Sequence, residues 1–207
     1  MMKLDRAGVD NYSDPVWNSV MEPMHWHADP WLNLELNKLS QGKFKFRVIG
    51  NLPYNLSSRI MLWSFKNSAN ILDLHYMFQK EFGKRLVSSP GNKSYGRLTV
   101  LTQYLFDSID LFEVHPDSFN PKPTVESIFI KFKPKLERDF HSKEALKLQE
   151  LTQLMFSKRR KLISTSCKSL ISPNDFTNLG INPKNRPESL SIKDFIKITK
   201  YLLNKKN

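Results

Sequence analysis

Between Phe44 and Gly50 the chain reads Phe44-Lys45-Phe46-Arg47-Val48-Ile49-Gly50, and the run stops at Asn51-Leu52-Pro53-Tyr54. A short, β-rich, largely alternating run that ends at a proline turn predicts a strand feeding a loop. Ser57 or Ser58 then stands where an N-cap would, ahead of Ile60, Met61, Leu62 and Phe65, whose spacing predicts a helix. The same reading predicts a strand over 72–78, a helix over 80–87, a loop over 88–94 and a helix over 98–106. Two further strands, 110–114 and 127–132, flank a proline-punctuated stretch at 115–123. Strand-helix-strand-helix alternation predicts an α/β sheet with crossover helices, closed by an antiparallel edge pair.

The ends of the chain differ from this middle. Before Asn33 the apolar patches Val16-Trp17 and Met24-His25-Trp26 lie among Pro, Asp and Asn with no clean period. His25-Trp26-His27 lacks a Cys or carboxylate partner, so no metal is expected there. After Pro134 the period becomes helical. Leu148, Leu151 and Met155 predict a helix running through Arg160. Ser172-Pro173-Asn174-Asp175 and Ser191-Ile192-Lys193-Asp194 both carry an N-terminal capping pattern, with Gly180 as a stop between them. The reading is an α/β domain over 1–135 and a small all-α domain of about three helices over 136–207.

Charge sharpens that division. The net charge is +12, and residues 131–207 hold 18 Lys and Arg against 7 Asp and Glu. A concentrated basic region favours a polyanionic partner through phosphate contacts and counterion release, although a solvated surface has the same composition. No window reaches the ~18–20 apolar residues of a membrane span, and the N-terminus has no secretory core. The lone cysteine, Cys167, cannot form an internal disulfide. A soluble, cytoplasmic protein, monomeric and away from membranes, is the expectation.

A strand that delivers Asn-Leu-Pro-Tyr at its carboxyl end has a chemical use, because open α/β sheets bind ligands there. An Asn side-chain oxygen and a backbone carbonyl can accept the two hydrogens of an aromatic amine and aim its lone pair at an electrophile. Tyr54 can stack on a base. Four residues alone are also a plain strand-to-helix turn. The order of several segments adds to this: Val48-Ile49-Gly50-Asn51-Leu52-Pro53-Tyr54-Asn55, Phe78-Gln79-Lys80-Glu81 with Lys84-Arg85-Leu86, Tyr95-Gly96-Arg97-Leu98-Thr99-Val100, the loop from Val114 to Ser127, Phe156-Ser157-Lys158-Arg159-Arg160-Lys161 and Arg186-Pro187-Glu188-Ser189-Leu190-Ser191. Together they resemble the rRNA adenine N6-dimethyltransferase family of the small ribosomal subunit. The resemblance implies a Rossmann-like, S-adenosylmethionine-dependent methyltransferase sheet with a C-terminal helical rRNA-binding domain. It implies dimethylation of N6 of two adjacent adenosines near the 3′ end of small-subunit rRNA during ribosome biogenesis. Asn51, Leu52, Pro53 and Tyr54 would be catalytic, with Tyr54 and Phe119 clasping the target base. Asp29, Asn51 and Asp5 would contact S-adenosylmethionine. Lys93, Arg97, Lys158, Arg159, Arg160 and Lys161 would hold rRNA of the immature small subunit.

The sequence departs from the family ahead of Asn51. Gly8 is the only glycine before Gly42, so the glycine-rich cofactor loop has no counterpart, and Lys3-Leu4-Asp5-Arg6 puts a lysine where the family has an acidic residue. The expectation is a methyltransferase sheet with its N-terminal part missing, through truncation, a disrupted frame or a misassigned start. Other readings stay open: a catalytically impaired remnant acting only as an RNA-binding or ribosome-assembly protein, or a large-subunit rRNA methyltransferase sharing the same turn.

Overall fold

The structure is a computed structural model, and it describes residues 2–6 and 33–205. The chain divides into two compact units, one formed by Met1–Gly83 with Phe106–Leu136, the other by Lys84–Leu105 with Glu137–Asn207. One boundary, after Leu136, falls within a residue of the expected 135, and the helical unit in addition takes in residues 84–105.

The first unit is built on a five-stranded sheet. Its strands are β1 (Met2–Arg6), β2 (Phe46–Asn51), β3 (Ile71–Gln79), β4 (Phe106–Val114) and β5 (Ser127–Pro134), in the order β1-β2-β3-β5-β4. β2 and β3 run parallel, joined by a crossover through the helix Ser57–Lys66, while β1 and the β5-β4 pair are antiparallel to their neighbours. The expected mixed α/β sheet with its antiparallel edge is therefore present. Alternation decides which face is core: Leu74, Tyr76 and Phe78 of β3 and Ile128, Ile130 and Phe132 of β5 are buried. The helix α2 (Ser57–Lys66), which follows the short α1 (Leu36–Ser40), covers that face with Ile60, Met61, Trp63 and Phe65. The Ser64 and Tyr76 hydroxyls meet at 3.0 Å, and the Phe65 ring lies 5.9 Å from that of Phe106. The helix α3 (Lys80–Leu86) starts directly from the end of β3.

Three expectations for local structure are corrected. Neither Ser57 nor Ser58 caps α2: the helix starts at Ser57, Leu56 precedes it without a side-chain cap, and the Ser57 hydroxyl donates to the Pro53 carbonyl at 3.4 Å. Phe106 begins β4 rather than ending a helix, because it faces the core beside Phe132. The helix α5 (Lys143–Ser157) stops before the basic run, so Lys158 to Lys161 lie in a turn instead of continuing the helix.

The second unit packs α4 (Arg97–Leu105) with α5, α6 (Ile163–Ser166), α7 (Pro173–Asn178) and α8 (Ile192–Asn204). Four helices thus follow Glu137 where about three were expected, the addition being the single turn α6. Both predicted capping boxes are formed, by Ser172 with Asp175 and by Ser191 with Asp194, each satisfying two backbone donors at a helix start. Leu148, Leu151 and Met155 are fully buried as their spacing required, at roughly 1.5–3 kcal/mol of stabilisation each. The Phe156 ring stands 6.4 Å from Tyr95 and 6.0 Å from Phe195, tying the 84–105 segment and α8 to the same helix.

Candidate active site

One end of the sheet collects the candidate residues. β2 ends there at Asn51, β3 at Gln79 and β4 at Val114, and the antiparallel β5 begins there at Ser127. Asn51 is exposed at the last position of β2, opposite Met77. Leu52, buried, continues the ladder by one bond, its N–H donating to the Met77 carbonyl at 3.4 Å. Pro53 then turns the chain with φ −59°, and its carbonyl accepts the Leu56 N–H at 3.0 Å as well as the Ser57 hydroxyl. The Pro53 oxygen is therefore occupied by the turn itself. Tyr54 opens a short 3₁₀ turn, half-buried, and its hydroxyl lies 2.9 Å from the Ser127 hydroxyl at the start of β5.

The loop 115–126 leaves the same end of the sheet, between β4 and β5. It carries Phe119, half-buried, whose N–H donates to the Pro116 carbonyl at 3.1 Å. Inside the loop the Asp117 carboxylate meets Lys122 and, at 3.0 Å, His115 Nδ1. At its base Lys80 Nζ bridges Glu113 at 2.8 Å and Glu126 at 2.7 Å, and the Lys80 N–H donates to the Glu126 carbonyl at 2.9 Å. Hydrogen bonds donated to the Glu113 and Glu126 carboxylates push the Lys80 ammonium up to about 12, so it stays charged at any ordinary pH. A groove of about 360 Å³ lined by Gln79, Lys80, Glu81, Val125 and Glu126 opens beside these residues.

Asn51, the half-buried Tyr54 and the loop that carries Phe119 thus stand at the same end of the sheet, in chain order. A family model described as ribosomal RNA adenine dimethylase matches residues 18–204. The chain belongs to that family. It is 35% identical over 206 residues to the ribosomal RNA small subunit methyltransferase A of Shewanella sp. (strain MR-7), covering 99% of this chain and 76% of that protein. The enzyme of the same name from Buchnera aphidicola subsp. Acyrthosiphon pisum is 39% identical over 172 residues, 83% of this chain and 63% of that one. Among solved structures, a dimethyladenosine transferase from Plasmodium falciparum superposes with a TM-score of 0.66 at 22% identity, covering 78% of this chain and 67% of that chain. The 23S rRNA methyltransferase ErmE superposes at 0.59 and 20%, covering 74% of this chain and 64% of that chain. At those identities the two structures speak for the fold, which is the methyltransferase sheet anticipated from the sequence.

Not every residue singled out joins this end of the sheet. Asp5 pairs with Arg47, four positions before Asn51, which places its backbone about 13 Å along the sheet. β1 runs antiparallel to β2, so it is the Met2 end of β1, opposite Gly50, that reaches the site edge. Asp29 and His25 to His27 lie outside the described residues. Lys93 and Arg97 are exposed and belong to the helical unit. Lys158, Arg160 and Lys161 are exposed there too, but Arg159 is engaged: its Nε meets Glu188 at 2.5 Å and its guanidinium donates to the Lys93 carbonyl. Reading the sequence missed Ser127 and Lys80 as neighbours of the site. Both partnerships depend on strand order, which no local pattern carries.

Proposed function

We propose that this chain transfers methyl groups from S-adenosylmethionine to N6 of adenosines in small-subunit rRNA, two per base. The observation that carries the proposal is the exposed Asn51 at the carboxyl end of β2, followed by Tyr54, whose hydroxyl is held by Ser127. An exocyclic adenine amine is a poor nucleophile because its lone pair is delocalised into the ring. The Asn51 side-chain oxygen and the Leu52 carbonyl accept its two hydrogens, which localises the lone pair and aims it. Leu52 takes the backbone role because the Pro53 carbonyl already serves the turn. Tyr54 and Phe119 stack on the base turned out of the RNA, offsetting the loss of its stacking there.

When bound, S-adenosylmethionine supplies an electrophilic methyl group. The described residues fit it in part. Asn51 offers an amide at the strand end, where such sheets take ligands, while the Asp5 backbone pairs with Arg47, about 13 Å along the sheet. Asp29 is assigned a cofactor contact by family resemblance alone. The exposed lysines and arginines of the helical unit, Lys93, Arg97, Lys158, Arg160 and Lys161, hold the RNA backbone, with Arg159 shaping the loop that presents Lys93.

Asn51→Ala tests the reading. Methylation of a small-subunit rRNA substrate should drop at least 100-fold, the scale of losing one charge-stabilising group at a reacting centre, while RNA affinity stays within about twofold. Equal loss of both would place Asn51 in RNA binding instead. A wild-type chain that binds RNA but transfers no methyl group would favour the non-catalytic alternative.

A further inference from the structure

Ser127 touches neither the proposed reaction centre nor solvent, yet its hydroxyl faces the ring proposed to hold the target base. It is 0% exposed and lies in the ladder between two strands, opposite Gln79 of β3 and Val114 of β4. Its backbone is thus fixed from both sides, which makes its hydroxyl a rigid reference point. Tyr54, by contrast, stands in a one-turn 3₁₀ segment, and a tyrosine ring there turns about two side-chain bonds unless something holds its far end. The 2.9 Å contact between the two hydroxyls supplies that hold across 73 positions of sequence. Ser127 is also the first strand residue after the loop that carries Phe119. The Tyr54 ring is therefore referenced to the start of β5, where the loop carrying Phe119 also ends.

We propose that Ser127 is a positioning residue for base capture: its hydrogen bond to the Tyr54 hydroxyl fixes the plane on which the target adenine stacks. The inference rests on the reading of Tyr54 as the stacking platform. The rival explanation is a plain structural one, in which a buried and a half-buried hydroxyl merely satisfy each other. The two differ in what they move. Satisfaction alone affects stability, while positioning affects turnover of bound RNA, because a ring that rocks leaves the amine out of line with the Asn51 oxygen.

The experiment compares Ser127→Ala, Tyr54→Phe and the double variant, with Ser127→Thr as the rescue that keeps a hydroxyl. Tyr54→Phe retains the stacking ring and removes only the tether, so it tests the idea even where Ser127→Ala folds poorly. Each single variant should lower kcat about five- to tenfold, as expected for one hydrogen bond, with KM for rRNA within twofold. The double variant should be no worse than either single one, and Ser127→Thr should recover most of the loss. With 2-aminopurine at the target position, both single variants should show weaker quenching on binding than the wild type. Additive losses, or kcat unchanged in Tyr54→Phe, would overturn the proposal while leaving an active enzyme and the wider reading intact. A wild-type chain without methyl transfer overturns both at once.

Discussion

Asp73 shows how a carboxylate is kept charged inside a sheet. Only 7% of its side chain is exposed, and Arg47, next to it on β2, donates Nε and Nη2 to its two oxygens at 2.7 and 3.0 Å. Lys131 on β5 stands 3.7 Å away, and His75 Nδ1 3.6 Å. Burial pushes the Asp73 carboxyl up, but the Arg47 hydrogen bonds and charge, helped by His75 and Lys131, hold it below its ordinary 3.8. For His75 burial comes first and lowers it below 6.5; Asp73 pulls it back, and Lys131 and Arg47 push it down again. In both cases the unfolded chain binds more protons than the folded one, so acid destabilises the fold. The share due to His75 is present above 6.5 and is lost as pH falls towards its folded value; that of Asp73 is lost only below 3.8. His75→Gln should therefore flatten the decline in thermal midpoint between pH 7 and pH 5 relative to the wild type. Parallel curves for the two proteins over that range would show that His75 does not titrate on unfolding. None of this was legible in the sequence, since Arg47, Asp73 and Lys131 become neighbours only once β2, β3 and β5 are aligned. The placement of Asn51 and Tyr54 at a strand end was legible because a turn after a strand is a local pattern.

At the scale of elements the fit of α3 against β5 turns on one glycine. A Cβ at Gly83 would overlap Ile128 Cγ2 and come within 3.0 Å of Ile130 Cδ1. Alanine is worth about 1 kcal/mol over glycine inside a helix, yet overpacking a filled core costs roughly 1–3 kcal/mol. Both isoleucines are themselves fully buried on the core face of β5, so the neighbours have little room to give and the overlap wins. Gly83→Ala should lower the urea midpoint with an unchanged slope. Adding Ile128→Ala to it should cost less than the sum of the two single changes, because the smaller side chain removes the overlap. A stabilised Gly83→Ala would mean that α3 lifts off the sheet without penalty. Periodicity found these elements readily: the strands over 72–78 and 127–132, the helix after Pro53 and both capping boxes. It failed where ends are set by tertiary contacts. The helix α5 stops at Ser157, three residues before the expected end, and Arg159 turns away to reach Glu188 and the Lys93 carbonyl. The antiparallel course of β1 was equally out of reach, because Lys3-Leu4-Asp5-Arg6 has no feature that sets direction.

At the scale of the whole molecule, charge and chemistry are divided between the two units. The sheet unit holds 13 Lys and Arg against 13 Asp and Glu, and the helical unit holds 19 against 7, so the entire net charge of +12 resides in the helices. Including residues 84–105 in that unit makes the separation cleaner than a boundary at 135 would. Such a division suits an enzyme whose catalytic strand ends must admit a neutral base while another surface binds phosphates. It also predicts that the basic turn after α5 works through two kinds of residue. Lys158, Arg160 and Lys161 are exposed, so replacing all three with alanine would remove the proposed phosphate contacts without disturbing the core. The slope of log affinity for an rRNA hairpin against log salt should then fall by about 2–3, at 0.7–0.9 per contact. Arg159→Ala should behave differently, because its guanidinium is already committed to Glu188 and the Lys93 carbonyl. It should lower the thermal midpoint and leave the salt slope within about 1 of the wild type. Fluorescence anisotropy between 50 and 200 mM salt would check both, at concentrations set by the purified chain and a labelled hairpin. An unchanged slope in the triple variant would move the phosphate contacts elsewhere on the helical unit, with Lys93 and Arg97 the next residues to replace.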